Sequence, residues 1–186
     1  GIQSNNNGTN SGAAYVFVRS GTTWTQQAYL KASNTGVGDQ FGGVLAISTN
    51  TIVVGALFSS ELGAHAFILD DQGLTEVPPV GTARANEIQA ASVNNRGQVV
   101  LRGRIYSDFR VRTVLYDDGI WILLPALSAG YFGGTDINQR GQVVGGSGVA
   151  GGPSDGQHPV LFSHGELIDL GLPEGVQRAN AVAIND

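Results

Sequence analysis

Short runs of β-branched and aromatic residues alternate with tight polar turns along almost the whole chain, and this pattern predicts strands throughout. Ala14-Tyr15-Val16-Phe17-Val18, the turn at Ser20-Gly21 and the stretch Trp24 to Leu30 make a first pair. A glycine-rich loop from Asn34 to Gly43 leads into Val44 to Ser48, and beyond Thr49-Asn50 the chain returns over Thr51 to Ala56. Ala64 to Leu69 and Leu74 to Val77 follow, then Glu87 to Val93 with Gln98 to Ile105. Arg112 to Tyr116 with Trp121 to Leu124, Gly133 to Ile137 with Gln142 to Gly146, and His158 to Phe162 with Leu167 to Leu170 continue the series. The chain ends in a further strand-like stretch, 178–185. No long window carries the i, i+3, i+4, i+7 spacing of an amphipathic helix.

The strands recur with a fixed period. Val93-Asn94-Asn95-Arg96-Gly97-Gln98-Val99-Val100 returns as Ile137-Asn138-Gln139-Arg140-Gly141-Gln142-Val143-Val144, displaced by 44 residues, and begins again at Ile184-Asn185-Asp186. Ile47 to Val54 reads as a diverged copy with the same eight-residue layout. The strand that starts near Ala14 recurs at His65, Arg112 and His158, at steps of 51, 47 and 46. In the eight-mer the first Ile or Val ends one strand, Asn and Gly occupy the turn, and Gln-Val-Val opens the return strand. Four short strands per period match the blade of a β-propeller. The expected fold is all-β: four four-stranded blades of about 46 residues at 42–80, 87–130, 133–172, and 178–186 plus 1–30. The last of these would close the ring by pairing the two ends of the chain; the alternative is an arc of a larger propeller.

Two family resemblances rest on these residues. Gly12 to Phe17, Trp24 to Ala32, Gly38-Asp39-Gln40-Phe41-Gly42 and Ile52-Val53-Val54-Gly55-Ala56 make residues 1–62 resemble the FG-GAP repeat of integrin-like propellers. His65-Ala66-Phe67, the Ile-Asn…Gly-Gln-Val-Val hairpin and Asp169-Leu170-Gly171 make residues 63–186 resemble the bacterial extracellular HAF repeat. Both imply propeller folds on secreted or surface-attached proteins, with no catalytic residue to carry over. The FG-GAP family often holds calcium in a loop of regularly spaced acidic residues. Leu57 to Glu61 departs from that pattern and Asn5 to Asn10 lacks a carboxylate, so only weak calcium binding is expected and no cofactor is assigned.

Composition narrows the picture further. Charged residues are 13% of the 186, the net charge is -5 and no Lys/Arg cluster is present, so no nucleic acid partner is expected; no stretch is apolar enough to span a membrane, so no membrane insertion is expected. The chain has no Cys, which removes disulfides and thiolate chemistry, and no Met even at position 1, which reads as part of something longer or a processed form.

The candidate chemistry is thin. His65 and His158 occupy equivalent positions and His164 lies in a turn; packing or hydrogen bonding is the expected role of each. Asp70-Asp71 and Asp117-Asp118 fall in equivalent turns and are expected to point apart into solvent. Trp24 and Trp121 are equivalent and expected to pack between blades. No catalytic, cofactor or metal residue is assigned. The leading expectation is a non-enzymatic module at the bacterial cell surface that binds a protein or glycan through loops 31–40, 79–86, 125–132 and 171–177. One alternative is a lyase or glycoside hydrolase, which would need two or three of Asp39, Glu87, Asp136 and Glu174 to converge in a pocket; another is an adhesin spacer.

Overall fold

A computed structural model describes residues 8–31, 36–48, 51–59, 63–70, 72–76, 88–104, 110–128, 130–150 and 156–186. These contain fourteen strands and no helix. Strands β1 (Ala14–Ser20) and β2 (Thr23–Leu30) form a two-stranded ribbon. Sheet A is the meander of β3 (Val44–Ser48), β4 (Thr51–Ser59), β5 (Gly63–Asp70) and β6 (Gly73–Glu76). Sheet B repeats it with β7 (Ile88–Val93), β8 (Val99–Arg104), β9 (Val111–Asp117) and β10 (Ile120–Leu123). Sheet C does so with β11 (Phe132–Ile137), β12 (Val143–Val149), β13 (Gly156–Ser163) and β14 (Glu166–Asp169). All pairings within the ribbon and sheets are antiparallel.

Sheets A and B have apolar residues on both faces because each lies between neighbours. Ala66 and Ile68 of sheet A meet Ala90, Val93, Val99 and Leu101 of sheet B, with Tyr116 and Trp121 packed against them. On the other face of sheet B, Val100 and Leu115 join Phe132, Ile137, Val143, Val160 and Phe162 of sheet C. A smaller cluster of Ala14, Phe41, Leu30 and Phe67 attaches the ribbon to sheet A. Each fully buried aliphatic side chain of this kind contributes roughly 1.5–3 kcal/mol.

Two local features depart from the sequence reading. Val93 pairs with Val99 and Ile137 with Val143, but Ile47 pairs with Ile52. The first hairpin is therefore a tighter turn, and Ile47 to Val54 is not a copy of the eight-mer in layout. Its Ser48 pairs directly with Thr51, closing the turn earlier than Asn94 does. The stretch 178–185 forms no regular strand and does not pair with the ribbon among the described residues. It lies along sheet C, where Arg178 bridges Gln157, Ala179 N donates to Gln157 O at 2.8 Å and Ala181 N to Gly145 O at 3.3 Å. Side chains of β11 and its turn bind the rest, so these residues are held one group at a time and not by a ladder. No closed sheet is seen among the described residues.

Candidate functional site

The repeated motif is the most strongly constructed polar feature. Gly97 and Gly141 take φ of 77° and 80° in its turns, a conformation glycine adopts without a Cβ clash. Asn94 is wholly buried. Its Oδ1 accepts from Arg96 N at 3.0 Å and Gln98 N at 3.1 Å, closing the turn. Its Nδ2 donates to Gln98 Oε1 at 2.8 Å and across to Asn138 O of sheet C at 2.9 Å. Asn138 repeats every contact. It accepts from Arg140 N and Gln142 N at 3.0 Å each, and donates to Gln142 Oε1 at 2.8 Å and Asn185 O at 3.1 Å. The motif Asn is thus a connector between successive repeats as well as a turn residue, a role that turn chemistry alone does not reveal. Gln98 Nε2 reaches Asp117 Oδ2 at 2.8 Å, as Gln142 Nε2 reaches Ser163 Oγ at 3.0 Å. The arginine of each motif copy, Arg96 and Arg140, is exposed at the turn.

A second feature is an open cleft of about 490 Å³ between Asn10, Gly12-Ala13 and Gln40 to Gly43. Two loops run side by side here: Gly38 N donates to Thr9 O at 2.9 Å, Gln40 N to Asn10 O at 2.9 Å and Phe41 N to Ser11 O at 3.0 Å. Gly42, at φ 85°, comes so close that a Cβ would lie 2.7 Å from Ala13 O. Phe41 is buried and packs on Phe67 with ring centroids 5.5 Å apart, which anchors the loop from below. Asn10 and Gln40 adopt φ of 58° and 47°, a conformation uncommon outside glycine. The lining residues include two amides, Asn10 and Gln40, with Ala13, Phe41 and three glycines, and none of them is titratable. Such a surface offers hydrogen-bond donors and acceptors to a polar, uncharged ligand and no group for proton transfer.

The carboxylates considered for catalysis have separate duties. Asp39 Oδ2 accepts from Gly36 N within its loop, while its buried Oδ1 has no hydrogen-bond partner. Asp136 joins three segments: Oδ1 accepts from Ser92 Oγ of sheet B at 2.7 Å and from Ile137 N at 2.9 Å, and Oδ2 accepts from Ile184 N at 2.9 Å. Glu174 is exposed in a turn closed by Val176 N donating to Pro173 O at 3.1 Å. Glu87, Asp71, loop 79–86 and the side chain of His65 lie outside the described residues, as do 32–35 of loop 31–40 and residue 129 of loop 125–132.

Asp70 Oδ1 accepts from Gln72 N at 2.9 Å. Asp117 is tied to Gln98, whereas Asp118 is exposed at φ 46°, so the adjacent pair does divide, but only one member is left to solvent. His164, at φ 52°, has its Nδ1 at 2.9 Å from Ser163 Oγ. His158 Nδ1 lies 2.8 and 3.0 Å from the Asp169 carboxylate oxygens. Burial raises the Asp169 carboxyl, but Gly171 N donating to it and the bond and charge of His158 outweigh this and hold it below its usual value. Ser147 sits opposite His158 across β12–β13, yet no triad results. The fully buried Ser147 hydroxyl donates to Tyr131 O at 2.8 Å and accepts from Leu127 N at 2.8 Å, inside loop 125–132. No cluster of three or more His, Asp or Glu arranged to hold a metal occurs among the described residues.

The two tryptophans part company. Trp121 packs on Tyr116 with ring centroids 5.0 Å apart, in the core between sheets A and B. Trp24 is 64% exposed, with the Arg19 guanidinium 6.0 Å from its ring centroid.

Residues 24–67 match the FG-GAP repeat family. The match begins in β2 and ends in β5, so it is shifted from the span 1–62, and the His65-Ala66-Phe67 tripeptide lies inside it. Comparison with curated proteins and with solved structures returns no match.

Proposed function

We propose that the chain is a non-enzymatic β-propeller module of the cell surface that binds or scaffolds a protein or glycan partner. The FG-GAP match at 24–67 and the recurrence of one four-stranded unit support propeller repeats, with residues 63–186 in the manner of HAF repeats and an extracellular, bacterial setting. The observation that carries the binding reading is the cleft between Asn10 and Gln40, lined by two amides, small residues and Phe41 with no titratable group. It suits neutral hydroxyl or peptide groups better than a reacting centre.

Glycan-array and peptide-array binding by the purified chain tests this. Gln40→Gly keeps a residue that tolerates positive φ and removes only the amide. Binding is expected to weaken about tenfold, the worth of roughly one good hydrogen bond, with an unchanged melting temperature. Turnover of a polysaccharide that disappears in Asp39→Asn or Asp136→Asn would replace this reading with an enzyme.

A further inference from the structure

Sheets A, B and C are built to one plan, so their outer strands can be compared place by place. Ile120 of β10 is opposite the last residue of β9, as Gly73 of β6 is opposite that of β5 and Glu166 of β14 that of β13. By the same register Leu123 corresponds to Glu76 and Asp169. The outer strands of sheets A and C therefore end in a carboxylate where β10 has leucine. Ile120-Trp121-Ile122-Leu123 carries no charged side chain at all. Charges on an edge strand keep other chains from pairing with it, and β10 lacks that protection. Ile122 is 39% exposed, as its counterpart Ile168 is 43% exposed, so that position is ordinary. Ile120 at 63% and Leu123 at 45% are apolar surface that the other two strands do not have.

Both faces of sheet B are covered, one by sheet A and the other by sheet C, so what stays open is its edge. Leu124 N donates to Thr113 O at 2.9 Å just beyond β10. Antiparallel pairs alternate between bonded and unbonded positions, so Ile122 and Ile120 are the next residues bonded to β9. The main-chain N–H and C=O of Trp121 and Leu123 then point away from the sheet. No strand pairs with that edge among the described residues. At its head the turn Asp117-Asp118-Gly119 holds Asp118 exposed, in a chain of net charge -5. The edge thus offers two donor–acceptor pairs, flanking aliphatic side chains and a negative end.

We infer that β10 is a docking edge for an extended peptide segment of a protein partner, which adds to sheet B as a fifth, antiparallel strand. The segment is aliphatic opposite Ile120 and Ile122 and basic where it passes Asp118. A second copy using the same edge does not meet these terms. The register that matches the outward groups pairs Trp121 of one copy with Leu123 of the other and sets Asp118 against Ala126, which brings no counter-charge. Four residues span about 14 Å. Two copies meeting by that edge alone bury far less than the ~1,200 Å² of a stable interface, whereas a transient peptide contact needs no more. The inference goes beyond the surface-module reading and uses none of the residues of the Asn10–Gln40 cleft.

The probe is a short synthetic peptide of alternating Val and Thr with an amidated Lys at its C-terminal end, titrated into the full chain and read by amide hydrogen exchange. Exchange at the Trp121 and Leu123 amides is expected to slow about tenfold and that at Ile122 to stay as it is, a pattern that side-chain contact alone does not give. Leu123→Glu, which copies Glu76, is expected to weaken binding about tenfold with an unchanged melting temperature. Asp118→Asn keeps a residue that tolerates positive φ, and is expected to erase the preference for Lys over Gln in the peptide. Should Leu123→Glu melt early, the wild-type chain is tested with a peptide methylated at its main-chain nitrogens, which cannot complete the ladder and is expected to give no protection. Trp121 and Leu123 amides that stay unprotected at every peptide concentration overturn the inference, as does equal protection by the methylated peptide. Protection that appears without peptide and grows with chain concentration overturns it in favour of a second copy. Binding at the Asn10–Gln40 cleft is weakened by Gln40→Gly and not by Leu123→Glu, so the two failures are told apart.

Discussion

The joint between sheets B and C and the joint between sheets A and B are made by the same strands in the same order, but not by the same chemistry. At the B–C joint, Asn94 gives its Nδ2 to Asn138 O from a fully buried site, and Ser92 Oγ donates to Asp136. At the A–B joint, the place of Asn94 is taken by Ser48, whose hydroxyl reaches Asn95 Oδ1 in an exposed contact, and Ile47 beside it is 73% exposed. The apolar clusters at the two joints are comparable in kind. The difference lies in whether a buried amide fixes the register of one repeat upon the next. Apolar burial is non-directional, so it draws sheets together without specifying their offset, whereas a buried amide that must be satisfied admits one offset.

Removing that amide breaks the comparison most directly. Asn94→Ala leaves Gln98 N, Gln98 Oε1, Arg96 N and Asn138 O without their partner, and three of the four lie in buried surroundings. Losing several bonds at a buried site costs about 3–4 kcal/mol. Urea unfolding should show this as a lowered midpoint. Ser48→Ala, at the equivalent place of the A–B joint, should cost well under ~1 kcal/mol, and Arg96→Ala should be neutral within ~0.5 kcal/mol. Equal losses at Asn94 and Ser48 would show that the two joints are held alike.

A second, smaller change sharpens the contrast at the centre of the B–C joint. Thr113 is fully buried on β9; its Oγ1 donates to Phe132 O at 2.6 Å and accepts from Gly134 N at 2.6 Å. Its counterpart in sheet A is Ala66, which has no such group. Thr113→Val keeps the shape and strands one buried donor and one buried acceptor. A loss of about 2 kcal/mol is expected, visible as faster amide exchange at Gly134. Ala66→Val at the other joint tests packing alone, and should leave the exchange pattern of β11 unchanged.

The period, the strand order and the turns could be read from the chain because strand propensity and turn chemistry are local. The positive φ at Gly97, Gly119, Gly141 and Gly165 falls in turns that the sequence marks with Gly. What could not be read is where side chains reach between repeats. Nothing in Asn94 as a turn residue says that Nδ2 points at a carbonyl 44 residues on. The shared bulges at Ala90/Ser92 and Gly134/Asp136, which aim Ser92 and Asp136 at each other, leave no turn signal in the sequence. The stretch 178–185 reads as a strand from composition, yet beside two main-chain bonds to Gln157 and Gly145 it is held by the side chains of Asp136, Asn138 and Thr135, whose Oγ1 donates to Ala181 O at 2.6 Å. The Asn10–Gln40 cleft was only half legible: the glycines announce a close approach, but not the parallel course of loop 8–12 beside loop 36–43.

The smallest expected effect separates sheet C from sheet B at their outer edges. His158 and Asp169 join β13 to the end of β14, whereas the equivalent places in sheet B hold Arg112 and Leu123. The folded carboxyl of Asp169 lies below its usual 3.8. A group whose folded value is depressed adds stability above the unfolded value, and that stability is lost as pH falls through the folded one. The pair is substantially solvent-exposed, so its worth at neutral pH is well under ~1 kcal/mol. Asp169→Asn should therefore be slightly less stable than the parent from neutrality down to the ordinary carboxylate range. The gap should narrow as the solution is acidified further, while the Gly171 N donor keeps an amide oxygen to bind. Parallel melts across that range check the sign. A gap that widens on acidification would mean that Asp169 is held by something other than the His158 and Gly171 contacts, and that the outer edges of sheets B and C are closed in the same way.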